Sequence, residues 1–287
     1  MGIAPDGLPA GRRSEEKIVR VALVQMNSRD EKAENLERAE MLIAQAAAWG
    51  SDLVVLPELW TYLGPKKRHA EVSEPIPGET TEFLARLAGR YGFWLVGGSI
   101  LEAVEGQEHV HNTSVVLNPD GELVARYRKL HLFDVEVEGT TYQESATMAP
   151  GEDVVVASLA GVPVGLTVCY DLRFPELYRR LTAWGARLIT VPSAFTMETG
   201  RDHWEVMLRA RAIENQVYVL APAQCGSHPP GHACYGNSMI VDPWGTVVAR
   251  AGYREGVVVA DIDLGHAERI RKTLPALAHR RSDLFTF

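Results

Sequence analysis

The sequence predicts a single α/β domain with mixed β-sheets, and three observations lead to this fold class. Short apolar, β-branched runs alternate with segments of helical spacing, hairpin turns join two pairs of alternating runs, and no linker or fixed-period repeat divides the chain. The 287 residues, 46% of them hydrophobic, suffice to bury a core. We expect a flexible, Gly/Pro-rich tail over residues 1–16 and one domain over residues 17–287.

The chain opens with a predicted β-α-β unit. Its parts are the strand KIVRVALVQMN, the helix NLERAEMLIAQAAAWG, which ends at a glycine, and the strand SDLVVLPELW. Three further helix–strand pairs follow: TTEFLARLAGRYG with FWLVGGSIL, FPELYRRLTAWGA with RLITVPSAF, and HWEVMLRARAIENQ with VYVLAPAQ. Hairpins are predicted in NTSVVLNPDGELVARYRKL and SMIVDPWGTVVARA, where turn residues separate alternating runs. Parallel units together with hairpins give mixed sheets.

Composition favours a small-molecule partner. The net charge of −8, without a cluster of Lys and Arg, argues against nucleic acid and against a membrane surface as partners. Because neither a signal peptide nor an apolar stretch of bilayer length is visible, we expect a cytoplasmic protein. Three cysteines without a CxxC pair argue against a disulfide framework. The spacing of Cys225, His228, His232 and Cys234 matches no usual zinc pattern, so we expect an ordinary surface loop there and no metal.

Cys169 follows the predicted strand GVPVGLTV and precedes the predicted helix RFPELYRRLTAWGA. Strand-to-helix connections are where α/β sheets place ligands, and a helix start with a nearby positive charge favours a thiolate. The alternative is a small buried hydrophobe, which needs none of the Tyr-Asp-Leu-Arg residues that come next. A nucleophile and a structural thiol both fit this stretch taken by itself.

A thiol nucleophile needs a proton acceptor and a group that stabilises an oxyanion. Glu58 follows the apolar run Leu-Val-Val-Leu, where an unpaired charge would be costly; its alternative is an exposed loop acid or a first-turn helix residue. Lys129 lies among apolar residues after a predicted strand, either paired with carboxylates or snorkelling to solvent. Glu144 is a further candidate, and its alternative is a turn residue.

Three segments in this order carry a specific resemblance. They are PEL at residues 57–59, RKLHLF at residues 128–133 and CYDLRFPEL at residues 169–177. Together they resemble the nitrilase superfamily of carbon–nitrogen hydrolases. The segments PSAF, HWEVMLRARAIENQVYV, DPWGTVVA and HRRSDLF extend the resemblance over nearly all of the chain after the tail.

The resemblance implies a four-layer α-β-β-α sandwich with two mixed sheets and a Glu-Lys-Cys triad. It assigns the general base to Glu58, the oxyanion-stabilising cation to Lys129 and the nucleophile to Cys169, and it makes Glu144 a second glutamate that supports Lys129. Cys169 would attack an amide carbonyl that faces Lys129 and the Tyr170 backbone N–H, and water would hydrolyse the resulting thioester. This reaction needs no metal or organic cofactor.

Within the superfamily the chain is most similar to the amidase branch that acts on 2-oxoacid amides. The AQCG and DPWG motifs resemble deaminated glutathione amidase, whose reaction is the one we expect, whereas HLFD and YQES resemble omega-amidase, which is the alternative. The family usually has His in place of Asn237, and the Pro-Pro loop at residues 227–234 is unusual. Arg173 is the candidate cation for a substrate carboxylate, with a dimer contact or a structural ion pair as the alternative. Phe195 and Thr196 are placed beside the pocket, although an aromatic at a strand end is also typical of core packing.

Other functions stay open at this point. The same residues fit a nitrilase, or an enzyme that transfers the acyl group to an amine instead of water. A ligand-binding or scaffolding member without catalysis is a different class, and the intact Glu58, Lys129 and Cys169 speak against it. The family uses the helix after Cys169 and the HWEVMLRARAIENQ helix for subunit contacts, which implies a homodimer or a larger homo-oligomer.

Overall fold

The computed structural model describes residues 18–137 and 139–284; the predicted tail over residues 1–16 lies outside the described residues. The strands in this part are β1 (Ile18–Gln25), β2 (Leu53–Val55), β3 (Trp94–Val96), β4 (Ile100–Glu102), β5 (His111–Leu117), β6 (Leu123–Arg128), β7 (Asp134–Val137), β8 (Thr140–Gln143), β9 (Val156–Leu159), β10 (Val162–Leu166), β11 (Leu188–Thr190), β12 (Tyr218–Ala221), β13 (Cys225–His228), β14 (His232–Tyr235), β15 (Met239–Val241), β16 (Val247–Arg250) and β17 (Gly256–Asp263). The α-helices are α1 (Lys32–Ala48), α2 (His69–Val72), α3 (Glu79–Tyr91), α4 (Pro175–Ala183), α5 (Met197–Asn215) and α6 (Leu264–Thr273).

Two mixed sheets carry the fold. In the first sheet the strand order is β17-β1-β2-β3-β5-β4, with β6 paired to β5; in the second it is β16-β15-β12-β11-β10-β9. Strands β1, β2 and β3 are parallel, as are β10, β11 and β12, and the flanking pairs are antiparallel. The predicted β-α-β opening is confirmed by the β1–β2 pairing, and the predicted hairpins are confirmed as β5–β6 and β15–β16.

The side chains of the sheets alternate between two apolar layers. In β1, Val21 and Leu23 belong to the core that the two sheets share, whereas Ala22 and Val24 pack with the core of α1 and α3. On the second sheet, a Cβ at Gly165 would meet Leu181 of α4 at 3.0 Å, so the glycine lets that helix approach closely. Helices therefore cover the outer face of each sheet, and the expected four-layer α-β-β-α sandwich is confirmed.

Both sheets send chain segments to the same cavity from the carboxyl ends of their parallel strands. Glu58 follows β2 of the first sheet, and Cys169 and Phe195 follow β10 and β11 of the second. This is the edge at which α/β sheets bind ligands. Within the described residues, no helix combines the length and the apolar character needed to span a bilayer.

Candidate active site

A cavity of about 360 Å³ opens where the two sheets meet. Its volume lies in the range of small-molecule sites. Three of the four predicted catalytic side chains, those of Glu58, Glu144 and Cys169, line it, while the fourth, Lys129, lies behind them with 1% of its surface exposed. The structure thus brings together residues that are up to 111 positions apart in the chain, from Glu58 to Cys169.

Cys169 begins a five-residue 3-10 turn that leads into α4. Its backbone adopts a φ of 48°, in the left-handed region that is unusual for a residue with a side chain, and its N–H donates to the Pro192 carbonyl at 2.9 Å. Burial and the Glu58 carboxylate raise the pKa of the thiol well above its usual value, and Lys129 only partly opposes them. These contributions oppose the thiolate that the helix start and a nearby positive charge were expected to favour.

Asp171 fixes the turn that carries Cys169. This carboxylate is fully buried and accepts hydrogen bonds from the Val168 N–H (2.8 Å), the Tyr127 hydroxyl (2.7 Å) and the His131 N–H (3.1 Å). The His131 ring nitrogen Nδ1 lies 2.7 Å from the same carboxylate. Because four donors converge on it, one side chain ties the turn to the first sheet.

Glu58 is 1% exposed, and both oxygens of its carboxylate accept hydrogen bonds. The alternative that Glu58 is an exposed loop acid is therefore ruled out. Its Oε1 accepts hydrogen bonds from Asn112 Nδ2 at 2.8 Å and from Lys129 Nζ at 3.0 Å. Its Oε2 accepts the Ala194 backbone N–H at 2.7 Å. These partners aim the carboxylate at the thiol, and hydrogen bonding to Glu58 adds to the rise in the pKa of Cys169.

Lys129 bridges the two glutamates, so the snorkelling alternative is also ruled out. Its ammonium donates to Glu58 at 3.0 Å and to both oxygens of Glu144 at 3.0 and 2.9 Å. Burial alone would lower the pKa of Lys129, but the charges of Glu144 and Glu58 outweigh it and hold the pKa well above the usual value. Lys129 is therefore a permanent cation between two carboxylates.

Glu144 is both a turn residue and a partner of Lys129. It begins the 3-10 turn Glu144–Ala146, and its Oε2 accepts the Phe133 N–H at 2.8 Å. The carboxylate thereby joins the cation to the segment that leads into the β7–β8 hairpin. The predicted placement of Glu144 beside Lys129 matches this geometry.

The predicted substrate-binding residues Tyr170, Arg173, Phe195 and Thr196 all line the cavity. The Arg173 guanidinium lies 5.3 Å from the centre of the Phe195 ring, and no carboxylate oxygen of the described residues comes within 4 Å of it. A structural ion pair is therefore not the role of Arg173 within the described part of this chain. Phe195 also packs against Trp204, and Thr196 caps α5 by accepting the Thr199 N–H, so both have structural roles as well.

The expectation of an ordinary surface loop over residues 225–234 is wrong. This segment forms the β13–β14 hairpin, whose tip lines the cavity with His228, His232 and Cys234. His228 is 3% exposed, and its Nδ1 donates to the Ser28 carbonyl at 2.8 Å, which anchors the hairpin to the first sheet. In the part of the chain that the structure describes, no three His, Cys, Asp or Glu side chains are grouped to hold a metal ion.

Asn112, Asp171 and Lys66 were not predicted from the sequence as site residues. Asn112 and Asp171 hold Glu58 and the Cys169 turn, and Lys66 lines the cavity. A polar residue at the start of the apolar run NTSVVL was the available signal for Asn112. The segment GPKKRHAE around Lys66 is polar and has no periodic pattern, so it carried no signal.

Comparisons with known proteins give the chain a family context. The Carbon-nitrogen hydrolase family matches residues 20–272. A deaminated glutathione amidase of Synechocystis sp. is 43% identical over 263 residues, covering 90% of this chain and 97% of that protein. The omega-amidase NIT2 of Homo sapiens is 40% identical over 267 residues, covering 93% and 96%.

A solved amidase structure from Nesterenkonia sp. AN1 has a TM-score of 0.78 and 29% identity, covering 97% of this chain and 98% of that one. That protein is a mutant which carries the acetamide moiety of fluoroacetamide covalently at its active-site cysteine. The relatives thus include amidases of two named specificities and one with a covalently modified cysteine.

Proposed function

The chain belongs to the carbon–nitrogen hydrolase family, and on that premise we propose that it hydrolyses small 2-oxoacid amides through a thioester on Cys169. The observation that carries the proposal is the Lys129 ammonium, held at 3.0 Å from Glu58 and 2.9 Å from Glu144 behind the Cys169 thiol. A buried cation between two carboxylates next to a thiol provides a base, an oxyanion partner and a nucleophile in one place.

In the first half-reaction, Glu58 accepts the Cys169 proton while the sulfur attacks the amide carbonyl. The raised pKa of the thiol favours this coupling of proton transfer and attack. The carbonyl oxygen becomes an oxyanion that Lys129 and the Tyr170 N–H stabilise. When the C–N bond breaks, Glu58 returns the proton to the departing nitrogen, which leaves an acyl thioester.

In the second half-reaction, Glu58 removes a proton from water, and the hydroxide oxygen attacks the thioester carbonyl. The C–S bond breaks, the sulfur takes back the proton from Glu58, and the carboxylic acid leaves. Glu144 positions Lys129 throughout, since both of its oxygens accept from the ammonium. No other reactant is consumed.

Deaminated glutathione is the proposed substrate, and its products are 2-oxoglutarate and cysteinylglycine. Arg173 is the proposed partner of the 2-oxoacid carboxylate because its guanidinium lines the cavity without a carboxylate of the described residues. Phe195 and Thr196 complete that wall. The omega-amidase reaction on 2-oxoglutaramate is the second candidate, supported by the 40% identity to an omega-amidase.

The test compares initial hydrolysis rates on deaminated glutathione and 2-oxoglutaramate, with Cys169→Ala as the blank. We expect the wild-type protein to hydrolyse the first faster and Cys169→Ala to be inactive while keeping its melting temperature within a few degrees. Preference for 2-oxoglutaramate would assign the omega-amidase reaction instead. Turnover by Cys169→Ala, or no turnover of either compound by the wild type, would contradict the proposal.

We further propose a cytoplasmic homodimer acting in metabolite repair. Exposed apolar side chains on and beside α4 and α5 support the dimer: Trp184, Val206 and Ile213 are 53%, 67% and 49% exposed. Sedimentation of wild type and Val206→Glu tests the assembly, since the charged variant is expected to dissociate.

Adding amine acceptors and searching for an N-acyl product tests acyl transfer.

A further inference from the structure

A second cation, Lys66, lines the same cavity as Arg173. It belongs to the 3-10 turn Lys66–Arg68, which places Gly64, Pro65 and His69 in the cavity wall beside it. Lys66 is half-buried, and no carboxylate oxygen among residues 18–137 and 139–284 lies within 4 Å of its ammonium. Its neighbour Lys67 is exposed and does not line the cavity.

The charges around Lys66 do not fully offset the cost of burying its ammonium group. Burial lowers its pKa, the charges of Glu144 and Asp134 oppose that effect only in part, and the Lys129 ammonium lowers the pKa further. A partly desolvated ammonium without a contacting anion gains free energy when a carboxylate enters the cavity. The same charge acts on His69, whose pKa burial and Lys66 lower together.

Lys66 and Arg173 reach the cavity from different walls. Arg173 lies at the end of the Cys169 turn against Phe195, on the second sheet's side. The charges that act on Lys66 belong to the other wall, where Glu144 holds Lys129. A substrate that contacted both cations would therefore span the cavity past the Cys169 thiol.

We propose that Lys66 binds a carboxylate on the amine side of the scissile bond, which makes the cavity selective for amides with an anionic group at both ends. The inference rests on the proposed function, in which Arg173 takes the acyl-side carboxylate. Deaminated glutathione meets this requirement through its glycine carboxylate, whereas 2-oxoglutaramate releases ammonia and has no such group. Lys66 is thus a specificity-determining residue.

The experiment is a double-mutant cycle in which one change is made in the enzyme and the other in the substrate. The two substrates are deaminated glutathione and its analogue with a carboxamide in place of the glycine carboxylate, and the proteins are wild type, Lys66→Met and Lys67→Met. A charge-assisted hydrogen bond corresponds to about a 10- to 100-fold effect. We expect wild type and Lys67→Met to prefer the carboxylate by that factor in kcat/KM, and Lys66→Met to show a ratio of about 1.

The outcomes separate this inference from the proposed function. A preference ratio that is equal in wild type and Lys66→Met, or a ratio of about 1 in the wild type, overturns the role of Lys66 while the amidase proposal stands. An equal loss on both substrates in Lys66→Met also overturns it, because support of Glu144 would act on both. No turnover of either substrate by the wild type overturns both proposals. Lys66→Glu adds a check, since it is expected to prefer the carboxamide.

Discussion

The floor of the cavity and its rim satisfy their polar groups in different ways. The floor consists of Glu58, Lys129 and Cys169, and there the buried ammonium donates to two carboxylates. The rim consists of the β7–β8 and β13–β14 hairpins and the Lys66–Arg68 turn. The two hairpins contact each other through aromatic rings, with the ring centres of Tyr142 and His232 5.2 Å apart. The charge pairs hold the floor residues in one geometry, which suits a single reaction. The rim is held by weaker ring contacts, so its geometry can vary with the substrate.

The largest effect is expected at the floor, in Lys129→Met. If Lys129 is the oxyanion partner proposed above, its loss costs about 100- to 1,000-fold in kcat, while substrate still reaches the cavity. The change also leaves the Glu58 and Glu144 carboxylates buried without their cation, which lowers the free energy of unfolding by about 3–5 kcal/mol. Steady-state kinetics and urea unfolding measure the two effects.

Lys32→Met is the matched control for this lysine. Lys32 pairs with Glu74 and Glu79 and does not line the cavity. We expect the control to lose some stability and to keep its kcat. If Lys129→Met retained kcat within tenfold of the wild type under conditions where it is folded, the contrast between a catalytic floor and a variable rim would not hold.

A smaller effect is expected at the support of the floor, in Asp171→Asn. One amide oxygen cannot accept all four bonds that the carboxylate receives, and the NH₂ group would face either the Val168 and Tyr127 donors or the two His131 nitrogens. We expect the free energy of unfolding to fall by about 1–3 kcal/mol and kcat to fall about tenfold as the Cys169 turn shifts. Asp120→Asn, at an exposed site, is the control, and an unchanged Asp171→Asn would contradict the anchoring role.

The residues of the floor could be predicted from the sequence because their charged side chains interrupt apolar segments. A charge two residues after Leu-Val-Val-Leu, and a lysine among apolar residues after an alternating run, are costly unless paired, so Glu58 and Lys129 could be singled out. The parallel units and hairpins were predictable for the same reason, since their periodicity reflects burial on sheet faces. The raised pKa of the Cys169 thiol could not be predicted, because it depends on how deeply the folded chain buries the thiol next to Glu58.

The rim could not be predicted in the same way. The β13–β14 hairpin contains Pro-Pro-Gly and two histidines, a composition typical of solvent-exposed loops. His228 is nevertheless buried, and it donates a hydrogen bond to the carbonyl of Ser28, 200 residues earlier in the chain. Lys66 lies in a polar stretch whose place in the cavity wall depends on tertiary packing alone. Local pattern carries no information on such long-range contacts.

The smallest effect at neutral pH is expected from His69, which lines the cavity next to the Lys66–Arg68 turn of the rim. Burial, then the charge of Lys66, lower its pKa from 6.5 to about 4, so the folded protein keeps the ring neutral. Between these two values the unfolded chain binds a proton that the folded chain does not, and the free energy of unfolding therefore falls as the pH drops. The shift corresponds to about 3 kcal/mol in total, fully present above pH 6.5 and lost toward pH 4.

Urea unfolding of wild type and His69→Gln at pH 7 and pH 4.5 isolates this contribution, because the glutamine does not titrate and all other groups are shared. We expect the wild type to lose about 2 kcal/mol or more relative to His69→Gln between the two pH values. The exposed His279→Gln serves as the control and should follow the wild type. Parallel losses in wild type and His69→Gln would mean that the folded protein accepts the proton on His69 as readily as the unfolded chain does, which would contradict the lowered pKa of His69.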